Sequence, residues 1–172
     1  MAIKKYLSLV SGVVNSIAAI ATSAGAGDAD KIVQTSADGK LDISLMPSGL
    51  GGATTTAVAS EVLTAGDFVN IYDDAGTVKC RKANATDATK QADGYVRAGF
   101  ANGATATVYL DGVNANVAGL TVGTSYYLST SVDGSFTATA PSTSGNVVQK
   151  LGVAIDTGKI LFDRGNVVVV IG

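Results

Sequence analysis

The chain has 172 residues, 47% apolar and 15% charged, with a net charge of −2 and no histidine or tryptophan. Soluble domains average nearer 25% charged, so the surface is largely Ser, Thr, Asn and Gly. The weak negative charge speaks against broad nucleic-acid binding, which needs a basic stripe. The missing histidine removes Ser-His-Asp and Cys-His catalysis and the commonest metal ligand.

The first 27 residues, MAIKKYLSLVSGVVNSIAAIATSAGAG, imitate a secretory signal: a basic start, an apolar stretch and small residues. Ser8, Ser11, Gly12, Asn15 and Ser16 interrupt the stretch, so it reads as a retained structural arm. It is too short and too polar for a membrane span. Two conformations fit. Ile3, Tyr6, Val10, Val13, Ile17 and Ile20 are spaced as a heptad seam that could join helices of a trimer. Against that, Ser11-Gly12 lies between the β-branched and apolar runs YLSLV and VVNSI, a hairpin signal. Glycine inside a helix also costs about 1 kcal/mol. The hairpin is favoured. Residues 1–24 form the arm, residues 25–53 a linker or tether, and residues 54–172 the body.

Within the tether, Leu41, Ile43 and Leu45 alternate with Asp42 and Ser44 until Met46-Pro47. One strand of this length cannot bury its own apolar face. The expected solution is strand addition by Lys40–Met46 to a sheet edge of a neighbouring subunit.

From Thr54 onward short β-rich runs alternate with turn residues: TTTAVAS, DFVNIY, TVKCRK, GYVRAGF, TATVYL, TSYYLS, SFTATA, NVVQKLGVAI, KILFD and NVVVVI. This predicts an all-β fold, a small barrel or sandwich. Asp74-Ala75-Gly76, Asn102-Gly103 and Asp133-Gly134 supply the turns. LTAGDFVNIYDDAGTVKCRKA from Leu63 is echoed by LTVGTSYYLSTSVDGSFTATA from Leu120. Gly76 then matches Gly134, and Gly94 matches Gly152. Two similar β units closing one small barrel are expected.

Chemical equipment is sparse. Cys80 is the sole cysteine, so an internal disulfide is excluded. Lys79 and Arg81 beside it could lower its pKa, but the alternation reads as a buried strand cysteine. Lys79, Arg81 and Lys82 read as a solvated strand face. Asp28/Asp30 and Asp73/Asp74 lack the D-x-D-x-D-G frame of a calcium loop. Glu61 is the only glutamate, so a carboxylate acid–base pair has one member at most from that source. SAGAGDADK is no phosphate loop. Asn84-Ala85-Thr86 forms a sequon without a secretory context. Tyr126-Tyr127, on one strand, puts one ring in the core and one on the surface. No enzyme, cofactor or metal is expected.

The segment ATSAGAGDADKIVQTSADGKLDISLMPSGLGG resembles the linker of small structural proteins of tailed bacteriophages. The runs AGDFVNIYDDAGTVKCRKA, ADGYVRAGF, GATATVYLDG and LTVGTSYYLS resemble the bodies of phage head decoration, or cement, proteins. The resemblance implies a small β-barrel or β-tulip body and a non-enzymatic role on the outer capsid surface. It also implies a homo-oligomer, a trimer, bound to the major capsid protein of the same virion. Neither nucleic acid nor membrane is an expected partner. The residues then expected at the subunit or capsid interface are Tyr6, Leu7, Leu9, Val10, Ile17, Ile32, Leu41, Ile43, Leu45, Met46 and Pro47. A phage tail-fibre or receptor-binding module is the alternative, and a bacterial surface or pilus subunit a second.

Overall fold

A computed structural model describes residues 5–29, 31–35, 37, 39–42, 45–46, 53–163 and 168–170. The chain divides into two compact units, Met1–Gly51 and Gly52–Gly172. Among the described residues every regular element is a strand apart from one 3-10 turn.

In the first unit β1 (Lys5–Val10) and β2 (Val13–Ala18) form an antiparallel hairpin with Val10 opposite Val13. Ser11 and Gly12 both have positive φ, 52° and 81°, the two-residue turn whose twist suits a hairpin. The favoured conformation of the arm is therefore the one formed. Beyond it, Ile20 pairs with the Ile32–Gln34 stretch: its N–H donates to Ile32 O at 3.0 Å and its O accepts from Gln34 N–H at 2.8 Å. The tether differs from the strand its alternation predicts. Leu45 N–H donates back to Asp42 O at 3.0 Å, a turn, and no described residue of 40–46 lies in a strand. A half-buried strand pattern needs a sheet edge to hold it extended.

The second unit is all-β. β3 (Thr54–Ala59), β4 (Phe68–Asp74), β5 (Thr77–Lys82), β6 (Gly94–Tyr95) and β7 (Thr105–Tyr109) close a barrel in the order β3-β5-β4-β6-β7. The closing pair β3–β5 is parallel. β8 (Gly112–Asn114), β9 (Ser125–Leu128), β10 (Phe136–Thr137), β11 (Val147–Asp156) and β12 (Lys159–Phe162) form a sheet in the order β10-β9-β11-β12-β8, and β13 (Val168–Val170) pairs with β11.

Read around the ring, the two orders are the same: replacing β3–β7 in chain sequence by β8–β12, and opening the ring where β3 meets β5, turns the barrel's list into the sheet's. The duplicated sequence thus folds twice into one five-strand unit, down to individual bonds. Gly66 N–H donates to Val96 O at 2.8 Å, and Val96 N–H to Asp67 O at 3.0 Å. Gly123 N–H donates to Ala154 O at 2.8 Å, and Ala154 N–H to Thr124 O at 3.0 Å. Only the first copy closes on itself, so the barrel needs one unit rather than two. In the second copy, residues of the first occupy the place where closure would occur. Phe68 N–H donates to Gly134 O and Gly134 N–H to Ala83 O, both at 2.8 Å. Asn114 Nδ2 donates to Gly66 O at 2.9 Å, and Arg97 Nη2 to Val113 O at 3.2 Å. Bare strand edges invite pairing with other chains, and these bonds occupy part of one.

Strand alternation divides the apolar residues into two cores. Ala57, Ala59, Val69, Cys80, Ala106 and Val108 fill the barrel with Leu63 and Val96; the small side chains fit its narrow bore. Phe68, Tyr95, Tyr126, Leu128, Leu151, Ile160 and Phe162, from both copies, build the other. There Phe162 lies 5.6 Å from Phe68 and 5.8 Å from Tyr95, ring centre to ring centre, within the range of favourable aromatic pairs.

Candidate interaction surface

The hairpin register sorts the interface residues by face, because directly opposed residues in an antiparallel pair share a face. Leu7 is opposite Ser16 and Leu9 opposite Val14. Leu7, Leu9 and Val14 are 75%, 70% and 63% exposed, a contiguous apolar face. On the other face Tyr6, opposite Ile17, is half-buried, as is Ile17 itself. Val10 closes the hairpin opposite Val13, which is exposed. Ile32, Leu41 and Met46 are also exposed, and Leu45 is half-buried. Ile43 and Pro47 lie outside the described residues. Val13 and Val14 were not among the residues expected from sequence. The signal for them was the Ser11-Gly12 turn, which fixes the register and sets Val14 beside Leu9.

The hairpin strands carry one charge in their described residues, Lys5. Fully burying a Val or Leu side chain stabilises by about 1.5–3 kcal/mol, so Leu7, Leu9 and Val14 together offer about 5–9 kcal/mol gross to whatever covers them. A two-stranded hairpin alone is marginal in water. Its apolar face can do one thing chemically: bind another apolar surface.

Just past the hairpin, Asp28 accepts from Lys31 Nζ at 2.6 Å and from Ala24 N–H at 2.7 Å. These bonds, Lys31 first, hold its carboxyl below the usual range. In the body the Thr89 side chain and N–H lower Asp87, and the Gly158 N–H, with Lys159, lowers Asp156. A carboxylate whose folded pKa is depressed adds stability above its unfolded pKa and loses it as pH falls through the folded value. With no histidine, no side chain of ordinary pKa titrates between about 5 and 8. The melting temperature should therefore be flat from about pH 5.5 to 7.5 and fall below about pH 4. A scanning calorimetry series checks this, and a step near pH 6.5 would contradict it.

Cys80 and the basic cluster beside it have structural partners. Cys80 sits inside the barrel, fully buried, and burial, with Glu61 nearby, pushes its thiol pKa up, the opposite of an activated cysteine. Arg81 stacks on Tyr72 at 4.4 Å and donates to Asn70 Oδ1 at 3.0 Å. Lys79 pairs with Asp74 at 2.5 Å, and Lys82 with Asp67 at 3.6 Å. The basic cluster is thus engaged with its own sheet. Among the described residues no three His, Cys, Asp or Glu side chains gather as metal ligands, and no helix is long and apolar enough to cross a membrane.

The architecture defines an all-β chain with a closed barrel. No family model and no curated protein matches it. Among solved structures, it is similar to the crystal structure of the head fiber gp8.5 N base in bacteriophage phi29, with a TM-score of 0.45 and 16% identity. That similarity covers 67% of this chain and 97% of the other.

Proposed function

We propose that the chain is a non-enzymatic structural protein of a tailed-phage virion, a decoration protein that binds the outer capsid surface and stabilises the shell. It acts as a homo-oligomer, a trimer, with the major capsid protein as partner, and its arm and tether engage neighbouring subunits. The observation that carries this reading is the exposed apolar face of Leu7, Leu9 and Val14 on an almost uncharged hairpin. The resemblance of the tether and body motifs to phage decoration proteins supports it. A trimer multiplies a weak apolar anchor through effective concentration. Each copy then spans lattice contacts and raises the cost of separating them, after the cost of ordering the tether is met.

The test is a full-length triple variant, Leu7→Ser, Leu9→Ser and Val14→Ser, added to shells lacking the protein and followed by co-sedimentation. All three side chains are exposed, so the body should melt as in the unsubstituted protein. Affinity for the shell should fall at least about 100-fold, since each 1.4 kcal/mol of lost binding is tenfold. Undiminished binding would remove the arm from the mechanism.

A further inference from the structure

An open pocket of about 240 Å³ lies in the body. Its walls are Ser129, Thr130 and Ser131 after β9, Thr137 of β10, and the connection from β10 to β11 that includes Pro141 and Asn146. Seven of its ten lining residues carry hydroxyls, Asn146 adds an amide, and none is ionisable. Two hydroxyls are held in place. Ser129 is buried, and its Oγ accepts the N–H groups of Ser131 and Val132, each at 3.1 Å. Thr137 Oγ1 accepts from Thr139 N–H at 3.2 Å. Each of these oxygens keeps a hydrogen to donate.

A second observation comes from the tyrosine pair. Tyr126 is buried, packs edge-on against Phe136 at 5.3 Å, and its Oη accepts from Thr121 N–H at 2.9 Å. Tyr127 is only half-buried and lies directly opposite Thr137 in the β9–β10 register. It is therefore on the same face as a wall of the pocket.

This lining selects its ligand by chemistry. Among the ten lining residues an ion would find no charge to offset its desolvation, although Lys150, opposite Tyr127 in β11, shares that ring's face. An apolar group would strip water from the hydroxyls and leave them unpaired. A ligand whose own hydroxyls both donate and accept restores those bonds, and its C–H face can lie on an aromatic ring. The volume is below the roughly 300–1,000 Å³ of drug-sized pockets, room for one small ring. We propose that this pocket holds one neutral pyranose ring of a glycan, with Tyr127 against the C–H face of the sugar. The inference stands apart from the shell-binding reading.

The test is NMR titration of the isotope-labelled 172-residue protein with methyl glucoside, methyl galactoside and N-acetylglucosamine, each separately. At least one sugar should give saturable shifts confined to Tyr127–Ser131, Thr137 and residues 139–146, with a millimolar Kd. Tyr127→Ala and Thr137→Val should each weaken binding at least about tenfold. Thr137→Val keeps the side-chain volume but removes the acceptor of Thr139 N–H, so amide shifts unchanged outside residues 137–139 are the control that separates lost binding from a folding defect. No saturable shift with any of the three sugars up to about 50 mM, a binding energy under about 2 kcal/mol, would overturn the proposal. So would affinity unchanged in both variants.

Discussion

Replacing Gly152 with alanine should cost the body about 3 kcal/mol or more and lower its melting temperature by roughly 10 °C. Gly152 lies in β11, paired with Phe162 of β12 on one side and Tyr126 of β9 on the other. A Cβ there would stand 1.9 Å from Leu161 O and 2.9 Å from Leu161 C. Both are backbone atoms of the adjacent strand, so no side chain can swing away to make room. The φ of 147° adds strain for any L side chain. Relief requires β12 to move, and β12 carries Ile160 and Phe162 into the shared core. Gly94, its counterpart in the first copy, is also crowded, though less: a Cβ would meet Tyr109 O at 2.4 Å. Gly119→Ala is the control, because its Cβ would meet nothing within 4 Å and only its φ of 74° is unfavourable. That variant should lose about 1 kcal/mol. Chemical denaturation of the three proteins measures both losses. Equal losses at Gly152 and Gly119 would mean that β11 and β12 do not approach as closely as described.

The second large effect is expected at Gln149. Its side chain is buried, and it grips the backbone of Ala92 with two bonds of 2.7 Å, Oε1 accepting from Ala92 N–H and Nε2 donating to Ala92 O. This clasp joins β11 of the second copy to the segment leading into β6 of the first. Gln149→Leu keeps most of the volume but leaves a buried donor and a buried acceptor unpaired, each costing about 1–3 kcal/mol. A total loss of about 2–6 kcal/mol is expected in denaturant unfolding. Gln149→Glu should be partly rescued at low pH. Its carboxylate can accept from Ala92 N–H but cannot donate to Ala92 O; protonated, it can do both. Its folded pKa is thus raised, so the variant's deficit should be smallest and constant below about pH 4, grow as pH rises from there to the folded pKa, and level off above it. A deficit independent of pH would show that Ala92 O is not the partner.

The sequence carried much of this fold in its local chemistry. Ser11-Gly12 and Ala75-Gly76 both sit in two-residue turns with positive φ at both residues, and a glycine between two β-rich runs is a hairpin signal. The repeat was legible from Leu63 and Leu120, and both leucines are buried. β8 was not legible: Gly112-Val113-Asn114 has one β-favouring residue, and it pairs only because β12 presents an edge. Which copy would close was equally hidden, since closure depends on the parallel Val58–Lys79 and Ala59–Cys80 pairs, contacts between strands that local propensity does not encode. The Gln149 clasp was invisible for the same reason, a polar residue inside an apolar run whose partner is 57 positions away. On the candidate surface, Leu7 and Leu9 were readable as apolar arm residues. Their exposure, and their grouping with Val14, required the register.

We propose that the chain attaches to the outside of a phage head. The most direct measurement is immunogold electron microscopy of intact particles with antibody raised to residues 54–172. Label distributed over the whole head surface is the expected result. Label confined to the tail tip, or particles without label and protein on a cell surface instead, would contradict it.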